Sequence, residues 1–280
     1  TYPILQGLRL YKDSIDTYAI SKATDLIVFS KLITSSDKMA TNNYILTSCI
    51  DMKSVARNSY VASQRVFSGT LSSEEADEAC SYNHNNEYHS IWNLTTAYAS
   101  SGDVTTYALV NQLSGTIENI NLINFSSLLS DASTYVNNVI YAGSVAGKVT
   151  TSGVINNVNV YGTITLPNGS SNYGKVYIGG IVGNNAGLIT NSTFNGQISG
   201  GIHQNGGNLV NNNGIGGIAG YTEGGTFTNL KNASNIVGMS FTEEQTTATT
   251  YVGGIVGFGN YAKMEKVINK GRGGLIAIIL

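Results

Sequence analysis

A six-residue block recurs along the second half of this chain at nearly constant spacing, and it restricts the possible folds more than any other feature. Each copy places small residues, most often Gly-Gly, before a branched aliphatic residue and a further Gly. Four copies begin 36, 37 and 37 residues apart: Ala142–Gly147, Ile178–Gly183, Ile215–Gly220 and Val252–Gly257. A degenerate copy precedes them at Tyr107–Asn111, and a truncated one follows at Arg272–Ala277. Such spacing indicates units that stack on one another.

A second block follows each copy and has the pattern Gly-x-apolar-x-Asn. Its apolar positions alternate with polar ones, as in strands, and are Ile117, Ile155, Ile189, Phe227 and, in a weaker copy, Met264. We expect the glycines to allow positive φ at corners and close approach between coils. The Asn column comprises Asn119, Asn157, Asn191 and Asn229, which stacked coils would join as a hydrogen-bonded ladder. These patterns predict an all-β, right-handed parallel β-helix.

About 17 extra residues precede each Gly-Gly block, in segments 130–141, 165–177, 199–214 and 237–251. Because all four occupy the same place in the repeat, we expect them to project from one edge of the solenoid. This insertion edge carries aromatic and imidazole side chains that could hold a glycan or a protein: Tyr173, Tyr177, His203 and Tyr251, with Tyr221 close by. The alternative is that these rings only pack over the flank of the solenoid.

Residues 1–104 lack the repeat and are predicted to form a cap and the first coils, continuous with the repeats of 105–280. Ser21 is a candidate N-cap for a helix over Ala23–Ile33, whose apolar face would cover the open end of the solenoid. Segment 72–89 is the most charged stretch and is predicted to be an inserted surface loop. At the other end, Leu275–Leu280 would leave an apolar strand that could pair with another copy.

The chain offers little material for catalysis or metal binding. Its two cysteines, Cys49 and Cys80, are either a disulfide or two inert thiols. His84 and His89 lack the spacing of a zinc-binding pair, and we interpret them as solvated loop residues. Carboxylates between residues 104 and 250 are few, and they do not recur as an acid–base pair. We therefore expect no catalytic residue, no metal and no cofactor.

Charged residues make up 11% of the chain and the net charge is −2, so we expect no basic field that would attract nucleic acid or an anionic membrane. No apolar run is long enough to span a bilayer. The sequence starts at Thr1 rather than Met, and a removed signal peptide is one explanation.

The repeated Gly-Gly-Ile-Val-Gly and Gly-x-Ile-x-Asn blocks resemble the GLUG repeat of bacterial surface proteins. They are also similar to the non-catalytic N-terminal region of M26-type immunoglobulin A1 peptidases. The preceding segments of this chain follow the layout of that region too: Tyr44–Met52, Phe67–Leu71 and Ile91–Leu94. The tight turn that usually follows the second of these segments is replaced here by 72–89. The resemblance implies a right-handed parallel β-helix at a cell surface or in a secreted protein, and it carries over no catalytic residue.

Together these features predict a non-catalytic extracellular module: a stalk, an adhesin segment or a fibre subunit. Its expected partners are a host or cell-surface protein or glycan, or further copies of itself. Two alternatives remain, an accessory β-helix of a secreted peptidase and a glycan-active β-helix enzyme acting through Glu243 and Glu244.

Overall fold

The computed structural model describes residues 9–10, 17–56, 60–76, 88–97, 99–101, 104–128, 139–166, 175–203, 213–241 and 249–272. These residues form a parallel β-solenoid with a short helical cap at its N-terminal end. The predicted fold class is confirmed.

The cap comprises two short strands and two helices. They are β1 (Arg9–Leu10), β2 (Thr17–Ile20), α1 (Ala23–Ser35) and α2 (Asp37–Ala40). Helix α1 buries Leu26, Phe29 and Ile33, and the Phe29 ring lies edge-on to the rings of Tyr44 and Phe67 in the coils beneath. This face covers the end of the solenoid, as expected.

The predicted N-cap of α1 is wrong by one residue. Lys22 occupies that position and provides no side-chain cap. Ser21 lies just outside the helix, where its backbone N and its Oγ both donate to Oδ2 of Asp25 at 3.1 Å. The buried Asp25 carboxylate therefore holds the residues that lead into the helix, and it also suits the positive end of the helix dipole.

The first coils are irregular. Their strands are β3 (Asn43–Leu46), β4 (Ile50–Asp51), β5 (Tyr60–Val61), β6 (Ser63–Phe67), β7 (Thr70–Ser73), β8 (Ser90–Trp92), β9 (Thr95–Ala97) and β10 (Ala99–Ser101), with a 3₁₀ turn at Met52–Ser54. Strand β7 includes Ser72 and Ser73, and Glu75 bridges antiparallel to Tyr88. The charged insertion is thus narrower than 72–89, because strand pairing continues to Ser73 and the segment is closed at Glu75 and Tyr88.

From Val104 each coil repeats the same path through three sheets. The strands are β11 (Val104–Tyr107), β12 (Val110–Leu113), β13 (Thr116–Leu128), β14 (Val139–Ala142), β15 (Ala146–Val149), β16 (Val154–Thr165), β17 (Lys175–Gly179), β18 (Val182–Asn185), β19 (Leu188–Thr190), β20 (Thr193–Ser199), β21 (Ile202–His203), β22 (Asn213–Gly216), β23 (Ala219–Glu223), β24 (Thr226–Asn232), β25 (Asn235–Val237), β26 (Ser240–Phe241), β27 (Thr250–Gly253), β28 (Val256–Asn260) and β29 (Lys263–Asn269).

Each sheet is a column of equivalent strands. Sheet 1 is the broad one and contains β13, β16, β19, β20, β24, β25 and β29 among others. Sheet 2 contains β10, β11, β14, β17, β22 and β27, and sheet 3 contains β6, β12, β15, β18, β23 and β28. In the repeat coils the chain passes from sheet 2 through the Gly-Gly turn to sheet 3, and then to sheet 1. Pairing between successive coils is parallel and keeps the repeat in register.

The predicted interior column is confirmed. Ile117, Ile155, Ile189 and Phe227 are fully buried and lie side by side in register, followed by the partly buried Met264. The truncated copy at Arg272, however, is not in the Gly-Gly register. Arg272 bridges Asn235 of sheet 1, whereas Val252 pairs with Ile215 of sheet 2. The 20-residue spacing between Val252 and Arg272 is therefore not the length of one coil, and the figure of about 17 extra residues per repeat, which rests on that spacing, is not supported.

Close approach of backbones explains the glycines at the Gly-Gly turn. A Cβ added to Gly180 would lie 2.2 Å from the carbonyl oxygen of Gly217, and one on Gly217 would lie 2.2 Å from that of Gly254. Positive φ was also expected at these glycines, and that prediction is wrong. Among the described glycines, positive φ occurs at Gly201, Gly224 and Gly259.

Asparagine, rather than glycine, occupies the left-handed corners of sheet 1. Asn119, Asn157, Asn191 and Asn229 have φ between 51° and 56°. Their side chains form the expected inter-coil contacts: Asn157 Nδ2 donates to Asn119 Oδ1 at 2.9 Å, and Asn229 Nδ2 to Asn191 Oδ1 at 2.8 Å. One link is shifted, since Asn191 Nδ2 donates to Oδ1 of Asn156 at 2.9 Å. Asn tolerates the left-handed backbone conformation, and its side chain can hydrogen-bond to the next coil. It therefore meets both requirements of this corner.

Replacing Asn191 by Ala tests this explanation. The variant loses both inter-coil side-chain bonds and places a Cβ-bearing residue without polar compensation at φ 51°. We expect the free energy of unfolding in urea to fall by about 2 kcal/mol. Asn191→Gly, which tolerates the backbone, should lose about half as much. Asn195→Ala, at an exposed extended position of β20, is the surface control. Equal losses in the Ala and Gly variants would contradict a role for backbone strain.

Candidate functional site

The four insertions leave and re-enter the solenoid at one corner. Each begins after sheet 1 or the short β21 and β26 and ends at the start of a sheet 2 strand. The exits align because β21 pairs in parallel with β26, and the returns align because β14, β17, β22 and β27 pair in parallel. Segments 129–138, 167–174, 204–212 and 242–248 themselves lie outside the described residues.

The predicted ligand residues do not form one exposed cluster. Tyr173 lies outside the described residues, and His203 is placed only as a backbone position of β21. Tyr177 is 5% exposed, and Tyr251 is half-buried. Both belong instead to a column of aromatic rings that runs along the solenoid between sheets 2 and 3.

This aromatic column contains Tyr141, Tyr177, Tyr221, Phe258 and Tyr251. Ring centroids of Tyr141 and Tyr177 are 5.7 Å apart, and those of Tyr177 and Tyr221 are 4.8 Å apart. Phe258 continues the column, 5.6 Å from Tyr221 and 4.9 Å from Tyr251. All four pairs are stacked, with interplanar angles between 17° and 29°.

The aromatic column crosses from sheet 2 to sheet 3 at the coil that has glycine instead of tyrosine in the sheet 2 row. Tyr141 and Tyr177 lie side by side in sheet 2, but the next position in that row is Gly214. There Tyr221 of sheet 3 supplies the ring instead. A Cβ on Gly214 would lie 2.2 Å from the carbonyl oxygen of Gly220, so this position has no room for a side chain, and the row resumes with Tyr251 in the next coil.

The environment of the column disfavours charge on its hydroxyl groups. Burial raises the pKa of Tyr177 to about 12, and the nearby Tyr141, Tyr221 and Glu223 add to the shift. Burial also raises the pKa of Tyr141 and of Tyr221, and in both cases Glu223 contributes. The exposed Glu223 carboxylate therefore lies near three phenol groups that stay protonated at neutral pH.

Tyr177 cannot stack on a sugar, because rings from both neighbouring coils cover its two faces. The alternative of packing over the solenoid flank accounts for Tyr177. Tyr141 and Phe258 were missed from the sequence. A signal existed: an aromatic residue stands two positions before the first glycine of the block, as in Tyr141, or directly after the last, as in Phe258.

His89 is not a solvated loop residue, as the sequence suggested. It is buried, its backbone N donates to Ser73 Oγ at 2.9 Å, and its Nδ1 lies 4.0 Å from Sγ of Cys49. Cys49 is disulfide-bonded in the structure. Cys80 lies outside the described residues, so its pairing with Cys49 stays a prediction.

Acidic groups are scattered over the described residues. No three His, Cys, Asp or Glu side chains in the described ranges lie close enough together to hold a metal ion. Glu118 is half-buried and accepts from Asn156 Nδ2 at 3.5 Å. Glu243 and Glu244, the carboxylates of the glycan-enzyme alternative, lie outside the described residues.

No helix in the described part of the chain is both long enough and apolar enough to cross a membrane.

Replacing Tyr177 by Ala tests the structural role of the column. Its removal leaves a gap between Tyr141 and Tyr221 and exposes their faces. We expect the free energy of unfolding to fall by about 3 kcal/mol, as for other buried rings. Tyr177→Phe keeps the ring and should cost less than about 1 kcal/mol. Tyr261→Ala, at a side chain 90% exposed, is the matched control. A loss for Tyr177→Ala as small as that control would contradict the packing role.

The pKa of Tyr177 also predicts a pH dependence. Its pKa is about 12 in the folded chain and 10.0 for a free tyrosine, so the unfolded chain loses its proton first as pH rises. Stability from this group is therefore complete below pH 10 and is lost between pH 10 and about 12. Urea unfolding measured across this range should show a smaller decline for Tyr177→Phe than for the wild type. Tyr261→Phe serves as control, and an identical decline in all three proteins would refute the assignment.

The chain is similar to known proteins in two respects. The GLUG motif matches residues 174–199, which cover one Gly-Gly block and the Gly-x-Ile-x-Asn block after it. No curated protein matches the chain. Among solved structures, a candidate immunoglobulin A1 protease from Bacteroides ovatus is similar, with 18% sequence identity, a TM-score of 0.45, and coverage of 90% of this chain and 74% of its own. The chain is a parallel β-solenoid that carries a GLUG motif at residues 174–199.

Proposed function

We propose that this chain is a non-catalytic extracellular module whose stiff coils present the insertion edge to a cell-surface protein or glycan. One observation carries the proposal: successive coils open at the same corner, with parallel strands on both sides of each opening. The points where the four insertions leave and rejoin the coils therefore lie in a row. Adjacent coils are about 4.8 Å apart, so neighbouring insertions can contact one extended partner together.

The coils themselves suit a passive role. Their interior is filled by aliphatic and aromatic side chains, and their corners by Gly and Asn that serve the backbone. The same module would serve a surface stalk, an adhesin segment or the accessory region of a larger secreted peptidase, since each of these needs a rigid support for binding loops. Pairing between copies through Leu275–Leu280 is a further proposal, on residues outside those described.

Replacing two neighbouring insertions tests the binding edge. In the edge variant, segments 167–174 and 204–212 are each exchanged for a Gly-Ser-Gly-Ser linker, which leaves the paired strands intact. The control variant carries the same linker inserted between the exposed Thr151 and Ser152, at a different corner of the solenoid. Labelled proteins are applied to a printed array of glycans and purified cell-surface glycoproteins, and their folding is checked by circular dichroism and thermal unfolding.

We expect the wild type and the control to bind the same array members, and the edge variant to bind them about tenfold more weakly or not at all. Unchanged binding by the edge variant would reject the insertion edge as the contact surface. Absence of binding by the wild type would reject the adhesive role. The array is also analysed for new reducing ends and cleaved peptide bonds, and their appearance would contradict a non-catalytic module.

A further inference from the structure

The last described coil carries a local excess of positive charge that the net charge of −2 conceals. Its segment 263–272 contains four basic residues and one acidic residue, and all five side chains are exposed: Lys263, Lys266, Lys270, Arg272 and Glu265. The preceding coil adds the exposed Lys231. The net charge describes the chain as a whole, whereas this end of the solenoid is locally basic.

The strand register gathers four of these cations on the outer face of sheet 1. Lys231 lies beside Ile268 of the next coil, and Lys266 occupies the left-handed corner after Asn229, with φ 52°. Lys270 donates its backbone N to the carbonyl of Asn232 at 2.7 Å, and Arg272 bridges Asn235. We call Lys231, Lys266, Lys270 and Arg272 the basic patch. At about 3.3 Å per residue and 4.8 Å between coils, it spans about 20 Å.

No carboxylate in the described part of the chain forms an ion pair with a cation of the patch. The ion pair found among those residues joins Arg65 to Asp37, in the N-terminal part of the chain. Glu265 is next to Lys266 in sequence but forms no ion pair with it in the described structure. Four solvated cations on one face repel one another and attract a polyanion, and this attraction weakens as salt is added.

We propose that the basic patch binds an anionic polysaccharide, such as a sulfated or uronic-acid-containing chain. Two exposed amides border the cations: Gln197 pairs with Asn235, and Asn235 bridges Arg272 in the next coil. Amide groups both donate to and accept from sugar hydroxyls, while the cations pair with sulfate or carboxylate. The face is thus equipped for both kinds of group that such a polymer repeats.

Two other polyanions fit this face less well. A membrane surface would need an apolar strip to enter the lipid, whereas the large apolar side chains exposed on the described part of the last two coils are separate from one another: Val237, Tyr261 and Ile268. A single-stranded nucleic acid would need a row of aromatic rings for its bases, and the basic patch contains none. The proposal is independent of the insertion edge, because it uses none of the inserted residues.

A charge-matched pair of variants tests the proposal. The patch variant combines Lys231→Gln, Lys266→Asn, Lys270→Gln and Arg272→Gln; Asn at 266 suits the left-handed corner, as in Asn229. The control variant removes four exposed cations from the N-terminal part by Lys22→Gln, Lys31→Gln, Lys38→Gln and Lys53→Gln. A third variant, Lys231→Arg with Lys270→Arg, keeps the patch charge. Binding to immobilised heparin and polygalacturonate is measured by biolayer interferometry at several salt concentrations, after each fold is checked by circular dichroism.

We expect the patch variant to bind both polysaccharides about tenfold to a hundredfold more weakly, and the control and arginine variants to keep wild-type affinity. Equal weakening in the patch and control variants would overturn the proposal, since overall charge would then explain the binding. So would absence of wild-type binding. Neutral dextran, a thymidine oligonucleotide and phosphatidylserine vesicles are measured in parallel, and affinity for any of them equal to that for the polysaccharides would overturn the assignment of the partner.

Discussion

Parallel pairing between coils is the interaction on which the rest of this structure depends. A coil has no partner for its strands within itself, so its backbone groups bond to the coils on either side: Val154 N donates to the carbonyl of Gly115, Leu188 N to that of Gly153, and Thr226 N to that of Gly187, at 2.8–3.0 Å. The consequence is strict register. Every repeated side chain meets its counterpart in the next coil about 4.8 Å away, so residue types that can stack on themselves are favoured.

That requirement explains the composition better than solubility does. Glycine recurs at the Gly-Gly turn because backbones of neighbouring coils touch there, asparagine recurs at the left-handed corners because it bonds to its own kind, and aromatic rings stack at 4.8–5.7 Å between sheets 2 and 3. Charged residues stacked in register would repel. This is a physical reason for their low share of 11%. Where cations do accumulate, in the last coil, the register places them after uncharged positions such as Asn229 and Asn235.

The architecture could be predicted from the sequence because, in a stack of coils in register, residues separated by one repeat length lie in contact. Ile155 and Ile189 could be placed side by side from their positions in the repeat alone. The sequence was insufficient wherever a contact crosses between sheets. For Tyr177 a ligand role and packing over the flank both stayed open, because its second ring partner, Tyr221, comes from sheet 3 and spacing within one sheet does not reveal that contact. Likewise His89 looked solvated in a charged stretch, yet it packs against Cys49 of an earlier coil. The truncated copy at Arg272 resembles the Gly-Gly block in amino-acid sequence, but its strand pairing is not in the register of that block.

Function in such a fold has to come from departures from the repeat. A perfectly repeated coil commits its inner face to packing and its corners to the backbone, and its outer face carries side chains chosen to stack on themselves. The chain departs from this pattern in two places: at the corner where four coils open into insertions, and on the last coil, where lysine and arginine replace asparagine and alanine. The first departure adds chain length and the second adds charge. Each leaves inter-coil pairing intact, which is why a solenoid can acquire binding surfaces without losing its fold.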